Sequence, residues 1–194
     1  MTKQSQIENI FIENGGIARL KDITQKNINK YHLYKMVKNG RVERIKQGLY
    51  KLTEYPTDEH VDVMQLVPSG IFCLYSAWYY HGLSTYVPYK YHVAIEKKNK
   101  VKLPEYPPIK LYYRNKSSLE LGVALQEETQ IQITDKEKSI CDAMRFRNKI
   151  GIDLFREVIS NYIESKERNM EKLLSYAKHL KIKGLMQNYL EILI

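Results

Sequence analysis

The chain has 194 residues, 43% of them hydrophobic, and a formal net charge of +9. That length suits one domain or two small ones with a true apolar core. No uncharged apolar window of about 18 residues is present to span a membrane, and MTKQSQIENIF lacks the basic-then-apolar pattern of a secretory signal, so a cytoplasmic protein is expected.

The charge is laid down in blocks. Residues 1–52 hold eleven basic against four acidic side chains, 53–85 sum to −4, 86–116 hold eight against two, and 117–194 are neutral. Basic blocks point to a polyanionic partner, or to a solvated basic face.

Three short helices are expected first. Residues 3–14 place Ile7, Ile10 and Phe11 on one stripe, closed by Gly15-Gly16. Residues 17–26 turn Ile17, Leu20 and Ile23 inward, and Asn27-Ile28-Asn29 makes a turn. Residues 30–39 bury Leu33, Met36 and Val37 and present Lys30, Tyr31, Tyr34, Lys35 and Lys38 outward. The next segment, VERIKQGLYKL (42–52), reads as a hairpin with Gln47-Gly48 at its tip. So short a hairpin is barely stable alone and must pack on the helices. Three helices followed by a hairpin is the order of a winged helix-turn-helix, in which the third helix enters the major groove and the wing touches adjacent backbone. Arg41, Arg44, Lys46, Gln47 and Lys51 are the expected wing contacts.

Residues 53–58 read as a linker, with Asp58 and Glu59 favouring the start of a helix over 59–67. IFCLYSAWYYHGLS (71–84) reads as a buried aromatic helix stopped by Gly82, with His81 structural. Strands are expected within 89–98 and 107–115, separated by a proline-containing loop. Nine of the sixteen tyrosines fall in 75–113, among the basic residues Lys90, Lys97, Lys98, Lys100, Lys102, Lys110 and Arg114. That mixture suits a second nucleic-acid patch or an ordinary half-exposed sheet. TQIQIT (129–134) alternates as a strand and leads into a helix from Asp135 to Gly151, whose Arg145, Arg147 and Lys149 form a smaller patch. Helices continue to the end, on stripes of Ile152, Phe155, Ile159 and Tyr162, then Met170, Leu173, Leu174 and Ala177, then Met186, Leu190 and Leu193.

An enzyme is not expected. Asp135, Glu137 and Asp142 are the only candidate carboxylates; Asp135 and Asp142 are separated by about two helical turns, and Lys136 and Lys138 interleave as on a solvated helix start. Cys73 and Cys141 lie in no zinc or redox spacing and the five histidines are scattered, so neither a metal nor a cofactor is expected. The metal-dependent nucleic-acid enzyme stays as a lesser alternative, beside a plain winged-helix regulator with a partner-sensing domain.

The GG-then-helix pattern with RIKQGLYKL resembles the winged-helix domain of AbiEi-type antitoxins, and SAWYYHGLS with DKEKSICDAMRFRNKIGIDLFREVISNY resembles that family's C-terminal antitoxin domain. The resemblance implies a phage-defence (abortive infection) toxin–antitoxin system of type IV. Its antitoxin represses its own operon by binding inverted-repeat, double-stranded promoter DNA, and counters a nucleotidyltransferase-like toxin without a required stable complex. The expected fold is α+β: a winged helix-turn-helix over 1–55, and a larger mixed α/β antitoxin domain over 56–194 that ends in a helical bundle.

Overall fold

The computed structural model describes residues 2–56, 59–126 and 131–193. Among these the chain forms ten helices and two sheets, a mixed α and β protein. It divides into two compact units, Met1–Leu66 with Lys102–Tyr106, and Val67–Val101 with Pro107–Ile194.

In the first unit, helix α1 (Lys3–Glu13) starts where the Thr2 hydroxyl accepts from Ser5 N at 3.2 Å, and it buries Ile7, Ile10 and Phe11 as its spacing requires. The chain then departs from expectation. Ile17–Arg19 is not helical but forms strand β1, and helix α2 is confined to Leu20–Thr24. The reason is tertiary: β1 pairs antiparallel with β3 (Leu49–Leu52), which supplies backbone partners that a local helical pattern does not anticipate. The Asp22 carboxylate accepts from Arg19 N at 2.8 Å and sets the start of α2. Helix α3 (Lys30–Lys38) is capped by Asn29, whose side chain accepts from Tyr31 N at 2.9 Å. Strand β2 (Val42–Lys46) then forms the expected hairpin with β3, giving the order β1-β3-β2. Gly48 at the tip has φ of +77°, a conformation glycine adopts without steric cost. Ile7, Ile10, Phe11, Ala18, Ile23, Ile28, Leu33, Met36, Val42 and Tyr50 make one buried cluster. Helix α4 (Glu59–Leu66) belongs to the same unit, and Asp58, expected at its start, lies outside the described residues.

The second unit is built on a five-stranded sheet of β4 (Ile71–Phe72), β5 (Tyr91–Glu96), β6 (Ile109–Arg114), β7 (Val123–Leu125) and β8 (Gln132–Thr134), in the order β6-β5-β4-β8-β7. β5 runs parallel to β6 and β4 parallel to β8, while β4–β5 and β7–β8 are antiparallel. The expected 71–84 helix is divided. Ile71 and Phe72 enter the sheet between β5 and β8, Leu74 turns the backbone at φ +50°, and helix α5 keeps only Tyr75–Tyr80. Trp78 on α5 is fully buried and donates Nε1–H to Ser139 O at 3.0 Å. Of the strand expected from 129, Gln132–Thr134 is formed, and Thr129 and Gln130 lie outside the described residues. A short helix α6 (Lys116–Leu119) follows β6.

Helices α7 (Lys136–Ile150), α8 (Ile152–Glu164), α9 (Met170–His179) and α10 (Lys183–Leu193) complete the unit. Phe155, Ile159 and Tyr162 are buried as expected, with Leu173, Ala177, Met186 and Leu190, but Ile152 is exposed at the first residue of α8. The Leu193 side chain lies outside the described ones. Cys73 and Cys141 are buried free thiols, and burial first of all pushes both up to about 12.

Gly122, which precedes β7, sits at φ +64°, and a Cβ there would stand 2.7 Å from Lys138 Cβ and 2.9 Å from Tyr176 Cε2. Gly122→Ala is expected to lower unfolding free energy by about 1–3 kcal/mol, read by urea titration.

An aromatic ladder crosses the same unit: Tyr86–Tyr75 at 5.6 Å, Tyr75–His92 at 4.6 Å, His92–Tyr112 stacked at 5.5 Å and Tyr112–Phe146 at 5.8 Å. The Tyr112 hydroxyl and His92 Nδ1 share a hydrogen bond at 2.8 Å. Burial, then the charges of Lys110 and Lys90, lower the His92 pKa from 6.5 to about 4. The unfolded chain therefore binds the extra proton between those two values. Stability is expected to fall by on the order of 3 kcal/mol as pH drops from 6.5 to 4. His92→Asn, which keeps a hydrogen-bonding side chain beside Tyr112, should flatten that part of a denaturation-versus-pH curve.

Candidate nucleic-acid interface

Helix α3 has two faces. Leu33 and Met36 are buried and Val37 half-buried, while Lys30, Tyr31, Tyr34, Lys35 and Lys38 are all exposed. The three lysines have no carboxylate partner among the described residues. Their charge is thus available to an external anion, on a helix anchored by its opposite face.

The hairpin residues divide by what holds them. Arg44 and Gln47 are exposed, the latter at the tip. Arg41 is also exposed, but its Nη2 pairs with Glu8 Oε1 at 2.9 Å. Lys51 Nζ is drawn to the buried Asp62 Oδ2 at 2.6 Å, and Lys46 Nζ donates to Leu66 O at 2.9 Å. Burial, with Arg19 nearby, lowers the Lys46 pKa. Lys46 and Lys51 therefore fasten the hairpin to α4, and Arg44 and Gln47 are the least encumbered of the five.

Tyr50, which the sequence pattern did not single out, joins the two elements. It is buried and stands opposite Arg44 across the β2–β3 ladder; burial first, then neighbouring Tyr34, raise its pKa. A buried tyrosine inside a strand of alternating charge is the signal that was available.

Of the residues of the expected second patch, the lysines are exposed and Arg114 is not. Lys90, Lys97, Lys98, Lys100 and Lys110 are exposed in the second unit, with Lys98 paired to Glu96 at 3.1 Å and Lys110 over the Tyr112 ring at 5.6 Å. Lys102 belongs to the first unit. Arg114 is buried, with its guanidinium 3.4 Å from Asp142 Oδ1. In the smaller patch, Arg145 donates to Ser118 Oγ at 3.4 Å, Arg147 to Met144 O at 3.0 Å, and Lys149 lies over Phe146.

The candidate carboxylates are each committed to cations or caps. Asp135 caps α7 by accepting from Lys138 N at 2.8 Å and also meets Lys172 Nζ at 3.0 Å. Glu137 accepts from the Tyr162 hydroxyl at 3.1 Å and lies 3.3 Å from Lys172. Burial opposes the charge on Lys172, but these two carboxylates outweigh it and raise its pKa. Asp142 lies 2.8 Å from Lys138 Nζ, and Lys138 is buried, so this helix start is not the solvated one its charges imply. Among the described residues no group of three His, Cys, Asp or Glu side chains is placed to hold a metal ion. His81 lies 2.6 Å from Thr134 O, a structural contact.

Residues 5–53 match the profile of a family of transcriptional regulators. The profile is that of AbiEi antitoxin transcriptional regulators, so the N-terminal region is similar to that family, in agreement with the resemblance carried by RIKQGLYKL. The matched segment lies wholly within the first unit. No curated protein matches the chain. Among the described residues no helix is long and apolar enough to cross a membrane.

Proposed function

We propose that the chain is a winged helix-turn-helix repressor of its own toxin–antitoxin operon, and that it counters a nucleotidyltransferase-like toxin. The carrying observation is α3, whose lysines and tyrosines are exposed on a helix fixed by Leu33 and Met36. In this reading α3 enters the major groove of inverted-repeat promoter DNA, where Tyr31 and Tyr34 contact bases and the lysines hold phosphates. Arg44 and Gln47 at the hairpin then reach the adjacent backbone or minor groove, with Arg41 able to leave its exposed pairing with Glu8. Residues 1–55 carry the DNA function and 56–194 the antitoxin function. The protein acts in the cytoplasm, without catalysis, in a type IV phage-defence system that requires no stable antitoxin–toxin complex.

A gel-shift titration of the operon's upstream DNA against random DNA, at two salt concentrations, tests the repressor reading. Salt-sensitive preference for the promoter, lost when α3 is neutralised, is the expected result. Equal binding to both DNAs would overturn autoregulation. Growth rescue on co-expression with a toxin encoded beside it tests the second half.

A further inference from the structure

Strand β6 ends on Arg114, and α7 presents Lys138, Asp142 and Arg145 at successive turns of one face. Asp142 Oδ1 lies 2.8 Å from Lys138 Nζ, 3.4 Å from Arg114 Nη2 and 3.9 Å from Arg145 Nη1. The side chains of Arg114, Lys138 and Asp142 are 8%, 2% and 1% exposed, whereas that of Arg145 is 33% exposed. Three cations therefore share one carboxylate, two charges in excess, in a largely buried place.

The hydrogen bonding is as incomplete as the charge. Arg114 Nη2 makes no hydrogen bond, and Asp142 Oδ1 meets its cations without an aligned one. A guanidinium carries five donors in a fixed fork, and burying them unsatisfied is costly. Nearby Glu137 does not supply the missing acceptor, since it is taken by Tyr162, Asn169 and Lys172. The Phe146 ring, 5.1 Å from the guanidinium carbon, faces Arg114 as a wall. Burial, then the charge of Arg114, depress the Arg145 pKa, the mark of crowded cations.

We propose that the Arg114–Lys138–Arg145 cluster is a binding site for the terminal phosphate of a small phosphate ester such as a nucleotide. The excess of two charges matches a phosphate monoester, which is close to a dianion at neutral pH, better than a phosphodiester, which carries one charge. Two guanidinium forks supply the donors that a tetrahedral oxyanion takes in pairs. Half-exposed Arg145, which donates to Ser118 Oγ, is the solvent-facing member of the cluster, and Asp142 holds Lys138 in place. The site lies wholly in the second unit and is independent of the DNA reading for α3.

The test is calorimetric titration of the full chain with pyrophosphate, with a nucleoside triphosphate, and with duplex DNA bearing 5′-hydroxyl ends. Sodium chloride at matched ionic strength is the control. Both small phosphates are expected to bind and to move the Arg114 and Arg145 Nε–Hε resonances. Arg145→Gln, with folding verified by Trp78 fluorescence, should weaken that binding by on the order of tenfold or more, the loss of one charge-assisted hydrogen bond. Binding should survive in Lys35→Ala/Lys38→Ala, which separates it from α3. Binding no stronger than in chloride, binding indifferent to Arg145→Gln, or resonance shifts produced by duplex DNA alone would each overturn the proposal.

Discussion

Replacing Lys35 and Lys38 together by alanine should weaken promoter binding by on the order of tenfold to a hundredfold at about 0.1 M salt, and should flatten its salt dependence. Each phosphate contact releases condensed counterions and contributes about 0.9 to the slope of log affinity against log salt, so losing two removes about 1.8. Both side chains are exposed on the last turns of α3, away from Leu33 and Met36, so the substitutions leave the core alone. Alanine is also the best helix former, which keeps the scaffold intact. Lys51→Ala is the internal contrast. Its ammonium is already neutralised by Asp62 at 2.6 Å, so its loss should change the slope little. A slope unchanged in the double variant would remove α3 from the interface.

The largest stability effect is expected at Asp142. Asp142→Asn keeps the shape and deletes the only carboxylate that, among the described residues, lies within 4 Å of Arg114, Lys138 and Arg145. Breaking a buried ion pair by removing one partner leaves uncompensated charge, which costs about 3–5 kcal/mol. Trp78 is the single tryptophan and is fully buried beside Ser139 on α7, so its fluorescence in urea reports this unit alone. A variant within about 1 kcal/mol of the parent would mean that the cluster is hydrated and electrostatically slack. Added pyrophosphate should restore none of the loss from Asp142→Asn if the ligand site is absent, and part of it if present, since a bound anion replaces missing negative charge.

The legible parts of this chain were those decided locally. Helix α3 announces itself through Leu33 and Met36 on the inner face after the Asn27-Ile28-Asn29 turn, and the hairpin through Gln47-Gly48. What failed depended on partners far along the chain. IARLKDIT has a helical rhythm, and only the backbone of β3 makes a strand of Ile17–Arg19. Ile71 and Phe72 read as the opening of an aromatic helix until β5 and β8 flank them. The candidate site shows the same division. The exposed face of α3 followed from the period of its buried residues. The burial of Arg114 and Lys138 did not follow from their neighbours, because charged side chains are ordinarily read as solvated. Lys51 looked like a free wing cation, since Asp62 lies beyond a linker and its pairing is not encoded in any short motif.

The two shielded sulfurs bear on how the protein meets chemical stress. A thiol held near 12 has almost no nucleophilic form at neutral pH, so alkylating and oxidising agents should pass it by while the fold is closed. Both cysteines belong to the second unit, and the first has none. Timed labelling with iodoacetamide would therefore count openings of the second unit alone, leaving the first silent. Slow labelling would also mean that a burst of oxidant leaves both thiols unmodified while the fold holds.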